Sequence, residues 1–251
     1  MKVCSLAKPV NAAGPLVVLW DIDGTLLSSD GAGRWAMEQS FRDLFGVRCA
    51  LRDTELAGRT DEVILMDSAR AAGLTMTSDD QAAFRSHYAR LLEAELTCGW
   101  RTPLALPGVV PLLAALADDF RFISGLLTGN WQHSAYIKLA SVGLADWFSF
   151  GAFAGDAPTR EDLLPVALRH ASQHTGTTAA PHRAVIIGDT PRDVSVARAH
   201  GAHSIGVATG PHTSEELNQA GADVVVDDLT DPRVMTVLAD WHAAEELTPG
   251  P

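Results

Sequence analysis

The feature of the sequence that most constrains the fold is a short apolar run, residues 17–20, that leads directly into Asp21-Ile22-Asp23-Gly24-Thr25. An apolar run of this length followed by turn residues predicts a buried β-strand. Asp21 and Asp23 then fall at the carboxyl end of that strand, where open α/β sheets bind their ligands. Two carboxylates this close repel each other unless a cation lies between them or one stays protonated. An Asp-rich turn is the alternative, but we take the two aspartates as the centre of a candidate site.

Strand and helix patterns alternate along most of the chain, which predicts a Rossmann-like, doubly wound parallel α/β sheet. Further strands are predicted at residues 120–127, 148–153, 184–187, 204–207 and 224–226, with helices at 109–117, 131–142, 161–174 and up to about residue 200. Residues 30–104 show helical spacing and no convincing strand, with apolar stripes such as Phe84, Tyr88 and Leu92. We therefore expect a core of residues 1–29 and 105–251 and an inserted all-helical domain of residues 30–104.

Charge and composition limit the partners and the compartment. The formal net charge is -12 and no basic run offsets it, so neither nucleic acid nor a membrane surface is expected as a partner. The N-terminus has no signal-peptide pattern, and the apolar run before Asp21 is too short to span a bilayer. Cys4, Cys49 and Cys98 match no metal pattern and indicate free thiols in a reducing compartment. These features predict a cytoplasmic protein; its oligomeric state stays open.

Polar residues also follow two later strands, and carboxyl ends of parallel strands meet at one edge of a sheet. Asp189 and Asp193 follow one of them, and with Asp21 they form an oxygen-ligand set that suits Mg²⁺. Thr128-Gly129-Asn130 follows the other, where a hydroxyl and unpaired backbone N–H groups suit an oxyanion. Ordinary helix capping explains each motif separately. Their shared place at strand ends favours a magnesium and phosphate site.

Three motifs in this order resemble the haloacid dehalogenase superfamily: Asp21-Ile22-Asp23-Gly24-Thr25, Leu127-Thr128-Gly129-Asn130 and Gly188-Asp189-Thr190-Pro191-Arg192-Asp193. The resemblance covers nearly the whole chain. The position of the helical insert is similar to that of members with a C1-type cap, and phosphoglycolate-phosphatase-like hydrolases resemble the chain most. The family implies a magnesium-dependent phosphatase that acts on a small phosphorylated molecule.

The resemblance also implies roles for the acidic residues. Asp21 would attack phosphorus and form an aspartyl-phosphate. Asp23 would protonate the leaving oxygen, then take a proton from water, and its main-chain carbonyl would contact the metal. Asp189 and Asp193 would anchor magnesium.

The remaining roles fall to residues that bind the phosphoryl group and the rest of the substrate. Thr128 and the N–H of Gly129 would hold the phosphoryl oxygens, and Asn130 completes their motif. The family's third motif needs a cation that is commonly lysine, and no lysine follows Lys138, which is predicted to lie mid-helix. Arg160, before a predicted helix, is the replacement we expect; a surface arginine is the alternative. Arg59, between two cap helices, is predicted either to bind a second anionic group of the substrate or to be solvated.

Three other functions compete with a phosphatase. A phosphomutase would pass the phosphoryl group to a sugar phosphate instead of water. A dehalogenase has no use for an acid at Asp23, and a non-catalytic module should have lost at least one of the acids, all of which are present. The fold alone does not separate these functions.

Overall fold

The computed structural model describes residues 14–52 and 54–246. The strands are β1 Leu16–Trp20, β2 Leu27–Ser28, β3 Leu104–Ala105, β4 Phe122–Leu127, β5 Gly151–Ala152, β6 Ala184–Gly188, β7 His203–Val207 and β8 Val224–Val226. The helices are α1 Ala32–Phe45, α2 Asp61–Ala71, α3 Ser78–Thr97, α4 Val109–Ala117, α5 Gln132–Ser141, α6 Leu163–Thr175, α7 Pro191–His200, α8 Ser214–Ala220 and α9 Arg233–Glu246. None of these helices is long and apolar enough to cross a membrane. The predictions for the first 13 residues and Cys4 lie outside the described residues.

Six strands form one parallel sheet in the order β5-β4-β1-β6-β7-β8. Strand β1 lies inside the sheet: its Trp20 pairs with Leu126 of β4 and with Ile187 of β6. All five residues of β1 are buried, because helices cover both faces of the sheet and strands in that position are apolar throughout. The predicted doubly wound parallel sheet is confirmed.

The two faces of the sheet pack against different helices. On one face Val18 and Trp20 share a hydrophobic cluster with residues of α4, α5 and α9. On the other, Val17 and Leu19 pack with residues of α6 and α7. The chain runs outward from β4 to β5 on one side of β1 and from β6 to β8 on the other. The carboxyl end of β1 is therefore the place where the strand order reverses and where sheets of this kind bind ligands.

Helices α1 to α3 form a third packing unit between β2 and β3. Their cluster includes Phe41, Leu65, Phe84 and Tyr88, together with Trp131 from the start of α5. Strands β2 and β3 pair antiparallel, so the chain leaves the core and returns to it at adjacent points. The pairing lies at the predicted boundaries near residues 29 and 105, while the division into two domains stays a prediction.

Some local predictions hold and others need correction. Residues 109–117 form α4 as predicted. Thr60 accepts a hydrogen bond from the main-chain nitrogen of Val63 and caps α2, and Thr213 and Glu216 form a capping box at the start of α8. The strand predicted at 148–153 is wrong in extent: only Gly151 and Ala152 of β5 pair with β4, and a 3-10 helix, Ala145–Trp147, occupies the chain shortly before them. The sequence patterns described above do not predict strands β2 and β3 or helix α9.

Candidate active site

The carboxyl ends of β1, β4 and β6 meet under the helical insert, around a cavity of about 270 Å³. Asp21, Asp23 and Asp189 line it from the core, and Arg59 and Tyr88 line it from the insert. The cavity therefore opens where the three sequence motifs converge, between the sheet edge and α1 to α3.

Three carboxylates form a cluster at the floor of the cavity. Each of Asp21, Asp189 and Asp193 offers an oxygen that lies within 4.8 Å of the other two, and all three residues are buried. The first two follow β1 and β6. Asp193 lies in the first turn of α7, where its Oδ2 accepts hydrogen bonds from the main-chain nitrogen (3.1 Å) and Oγ1 (2.7 Å) of Thr190. Capping uses only Oδ2 of Asp193, while Oδ1 accepts a hydrogen bond from Arg160. A capping role therefore does not exclude a role for Asp193 in the site.

Burial makes the negative charge of this cluster costly. Burial and the nearby Asp193 carboxylate raise the pKa of Asp21, although Arg160 opposes the shift. Burial, followed by the charges of Asp21 and Asp193, raises the pKa of Asp189 to about 9. A divalent cation would remove this repulsion. An all-carboxylate donor set with room for water and phosphate oxygens fits Mg²⁺, and a Cβ atom on Gly24, at φ 80°, would collide with Asp189 Oδ2.

Arg160 lies inside the cluster rather than at the surface. Its Nη2 donates to Asp21 Oδ2 at 2.9 Å and also to Asp193 Oδ1. Its Nη1 donates to the main-chain oxygen of Gly58 at 2.9 Å, which joins the insert to the core. Burial alone lowers the pKa of Arg160, but the two carboxylates outweigh it and raise the pKa, so the guanidinium stays charged. The structure thus brings the predicted cation next to the predicted nucleophile.

Thr128-Gly129-Asn130 forms the turn from β4 into α5. Thr128 Oγ1 accepts hydrogen bonds from the main-chain nitrogen (3.3 Å) and Nδ2 (3.0 Å) of Asn130. The main-chain oxygen of Gly129 accepts from the nitrogen of Asp61 at 2.7 Å. A Cβ atom at Gly129 would collide with the Arg59 carbonyl, so a glycine is required where the insert meets this turn.

Asp23 lies beside the three-carboxylate cluster and not within it. Its Oδ2 accepts hydrogen bonds from Asn130 Nδ2 at 2.9 Å and from Lys138 Nζ at 2.5 Å. Lys138 Nζ also donates to Asn130 Oδ1 at 2.5 Å. The proposed contact between the Asp23 carbonyl and a metal stays a prediction.

Sequence reasoning placed Lys138 in mid-helix and assigned it no role. The sequence nevertheless contains a pattern that could have indicated a role for Lys138. The buried face of α5 consists of Ser134, Ala135, Lys138 and Leu139, so a lysine falls on the apolar stripe of an amphipathic helix. A charged residue in that place needs a buried partner.

Asp61 is a second residue that the sequence analysis missed. It is buried at the start of α2, where its Oδ2 accepts hydrogen bonds from the main-chain nitrogen of Trp131 (2.9 Å) and from Ser134 Oγ (3.4 Å). Burial raises the pKa of Asp61 to about 6, against the opposing effects of Lys138 and the Trp131 N–H group.

Arg59 lies on the cavity wall, but its guanidinium has protein partners. It forms an ion pair with Asp67 and donates to the main-chain oxygen of Glu55 at 3.4 Å. An anionic substrate group would share the guanidinium with Asp67.

Comparisons with known proteins find hydrolases that are similar in sequence and in fold. A family model described as HAD-hydrolase-like matches residues 162–232, which include Asp189 and Asp193. A phosphoglycolate phosphatase from Rhodospirillum rubrum is 28% identical over 233 residues, which cover 90% of this chain and 90% of that protein. The chain is thus similar to haloacid dehalogenase superfamily hydrolases of the phosphoglycolate phosphatase type.

Other relatives and one solved structure extend the comparison. A phosphoglycolate phosphatase from Nitrosococcus oceani is 30% identical over 123 residues, so the chain spans about half (53%) of that relative's length. The tyrosine-protein kinase PtkA of Mycobacterium tuberculosis is 26% identical over 84% of this chain and 68% of its own. A hydrolase structure from Pseudomonas syringae superposes with a TM-score of 0.68 at 23% identity, over 90% of this chain and 98% of that one. The last likeness concerns the fold alone.

Proposed function

We propose that this protein is a magnesium-dependent phosphatase of the haloacid dehalogenase superfamily that hydrolyses a small organic phosphate monoester through an aspartyl-phosphate on Asp21. The broader assignment, a phosphoric monoester hydrolase, rests on its phosphatase relatives. One observation supports the finer assignment most: Asp21, at the end of the central strand, contacts the Arg160 guanidinium and clusters with Asp189 and Asp193.

In the first half-reaction a carboxylate oxygen of Asp21 attacks phosphorus. Arg160, held by its bonds to Asp21, Asp193 and Gly58, lies where it can neutralise charge on the phosphoryl oxygens. Thr128 Oγ1 and the N–H of Gly129 bind those oxygens at the start of α5, where the helix dipole favours an anion. Mg²⁺, when bound by Asp21, Asp189, Asp193 and the Asp23 carbonyl, would offset the repulsion between carboxylate and phosphate.

Asp23 moves the protons in both half-reactions. As an acid it protonates the leaving oxygen, and as a carboxylate it then takes a proton from the water that attacks the aspartyl-phosphate. The side chain is 43% exposed, whereas the Asp21 side chain is 7% exposed. The less exposed carboxylate is the nucleophile, and the one open to the cavity exchanges protons with substrate and water.

The helical insert is the proposed specificity element. We assign residues 30–104 to a cap domain and residues 1–29 and 105–251 to the core. The main-chain contacts of Gly58 with Arg160 and of Asp61 with Gly129 place the insert directly over the phosphate turn. Arg59, on the same loop, is proposed to contact the part of the substrate beyond the phosphate.

Release of inorganic phosphate from a panel of phosphorylated metabolites tests the proposed function. We expect magnesium-dependent turnover of one or more small monoesters, including two- and three-carbon phosphates with a carboxylate. A phosphomutase would instead isomerise a sugar phosphate and release little phosphate. No phosphate release from any monoester, with folded protein and magnesium present, would contradict the proposal.

A further inference from the structure

Lys138 is a buried cation that the mechanism above does not use. It lies in the middle of α5, is 4% exposed and lines the cavity around Asp21. Lysines are almost never fully buried unless they are paired. Here Nζ donates to Asp23 Oδ2 and to Asn130 Oδ1, both at 2.5 Å.

The contacts make the two carboxylate oxygens of Asp23 different. Oδ2 accepts from Lys138 Nζ and from Asn130 Nδ2, whereas among the described residues no hydrogen bond to Oδ1 is found. Because two donors already occupy Oδ2, Oδ1 is the oxygen that can reach the substrate and water. Two donors on Oδ2 also fix the rotation of the carboxyl group.

Groups around Lys138 keep it charged and in place. Burial lowers the pKa of Lys138, but the carboxylates of Asp23 and Asp61 outweigh burial and raise it. A Cβ atom on Gly33 of α1 would lie 3.4 Å from Nζ, so the insert passes directly beside the ammonium group. Packing gives no reason for a lysine here, since replacing a buried ion pair by apolar side chains is often neutral or stabilising.

We propose that Lys138 is a positioning residue for the acid and base of the reaction: with Asn130 it holds Asp23 by Oδ2, so that Oδ1 meets the leaving oxygen and later the attacking water. This inference rests on the proposed function. In the first step an Asp21 oxygen bonds to phosphorus, the bond from phosphorus to the leaving oxygen breaks, and that oxygen keeps the electron pair and takes the proton from Asp23 Oδ1. In the second, water bonds to phosphorus and gives a proton to Asp23 Oδ1, the bond between phosphorus and the Asp21 oxygen breaks, and its electron pair returns to the Asp21 carboxylate.

Leaving groups of different basicity separate this role from support of the fold. An alkoxide needs the proton of Asp23 to leave, whereas nitrophenolate leaves without it. In single turnovers with excess enzyme, which report only the attack by Asp21, Lys138→Met should slow release of an alkyl alcohol by about 100-fold, within the range of general acid catalysis. Release of nitrophenolate from p-nitrophenyl phosphate should slow by less than about threefold.

Companion variants complete the experiment. Asp23→Asn should also slow release of the alkyl alcohol far more than release of nitrophenolate. The Asp23→Asn/Lys138→Met double variant should be no slower than Asp23→Asn, because Lys138 acts through Asp23. Lys138→Arg, which keeps a charged donor, should recover part of the alkyl phosphate rate. Gln132→Met, at an exposed position of the same helix, is the matched control and should leave both rates unchanged.

The outcomes distinguish the inference from the function on which it rests. Equal losses on both substrates, or additive losses in the double variant, would overturn the role of Lys138 and leave the phosphatase intact. If Asp23→Asn slows the alkyl phosphate and p-nitrophenyl phosphate equally, the assignment of Asp23 as acid and base is overturned, and with it the role of Lys138. If Lys138→Met does not fold, Lys138→Gln gives the same comparison.

Discussion

Asp61 accepts a hydrogen bond from the main-chain nitrogen of Trp131 at 2.9 Å, so a carboxylate of the helical insert caps a helix of the core. The main-chain nitrogen of Asp61 donates to the oxygen of Gly129 two residues earlier in that turn. Trp131 in turn packs among the aromatic residues of the insert, with its ring centroid 5.6 Å from that of Tyr88. The insert and the phosphate turn are therefore connected through Asp61.

The first prediction concerns the pH dependence of stability at Asp61. Its pKa is about 6 in the folded protein against an ordinary value of 3.8. Between these values the folded state binds more protons than the unfolded state, so the free energy of unfolding falls as the pH rises. The pKa shift corresponds to about 3 kcal/mol of the free energy of unfolding, and the protein has lost this stability completely above pH 6 to 7.

Asp61→Asn should remove this loss, because an amide oxygen still accepts the Trp131 N–H bond and does not ionise. Chemical denaturation between pH 4.5 and 7.5 should show the variant gaining stability over the wild type as the pH rises. Asp79→Asn, at an exposed position, serves as control. If the free energies of unfolding of the wild type and Asp61→Asn change with pH in the same way, Asp61 does not titrate between pH 4.5 and 7.5.

The second prediction concerns the charge and shape of Arg160. Arg160→Met removes charge-assisted bonds worth about 1.5–3 kcal/mol each, so kcat should fall by about 100-fold or more. Arg160→Lys keeps the charge, but a lysine cannot reach Asp21, Asp193 and Gly58 together. Its kcat should therefore fall by about tenfold. Arg233→Met, which breaks an exposed pair with Asp231, should change kcat little. Equal activity of wild type and Arg160→Met would remove Arg160 from the mechanism.

The third prediction concerns metal binding by the carboxylate cluster. Mg²⁺ at 100 times its Kd should stabilise the wild type by about 2.7 kcal/mol, a rise in Tm of roughly 5–10 °C. Asp189→Asn should lose most of this shift. Chelation should stop phosphate release, and Mg²⁺ but not Ca²⁺ should restore it, because Ca²⁺ prefers longer bonds and more ligands. Full activity in excess chelator, with metal absence shown by elemental analysis, would contradict the proposed cofactor.

The fourth prediction concerns Arg59 and its partner Asp67. If Arg59 binds a second anion, Arg59→Ala should lower kcat/KM by about 10- to 100-fold on a carboxylate-bearing monoester. Hydrolysis of an aryl phosphate, which lacks that anion, should change far less. Asp67→Asn frees the guanidinium and should improve binding of the anionic substrate. Equal losses on both substrates in Arg59→Ala would mean that the arginine supports the insert through Asp67.

The parts of the fold that sequence could predict are those governed by local pattern. Strand β1 is apolar at every position because both its faces are buried, and residues 109–117 were placed within the bounds of α4. The motifs at Asp21, Thr128 and Asp189 converge because parallel strands end at one edge. Two-residue strands such as β2 and β3 carry too short a pattern to predict.

The parts that sequence could not predict depend on distant contacts. Lys138 and Asp23 are 115 residues apart, and Asp61 and Trp131 are 70 apart. In neither pair does the local sequence indicate the partner residue. The sequence shows only that Lys138 lies on a buried helix face and that Asp61 follows a capping threonine. Arg160 could be proposed from the sequence because the family pattern requires a cation, whereas the contact between Asp67 and Arg59 is seen only in the structure.

The most direct test of the central claim is the rate of phosphate release by Asp21→Asn with magnesium and a monoester that the wild type hydrolyses. The amide is a poor nucleophile of nearly the same size, so the variant should keep the folded circular dichroism spectrum of the wild type. We predict that its phosphate release falls to background, because the aspartyl-phosphate cannot form without the Asp21 carboxylate. Release at the wild-type rate by Asp21→Asn would contradict the aspartyl-phosphate mechanism.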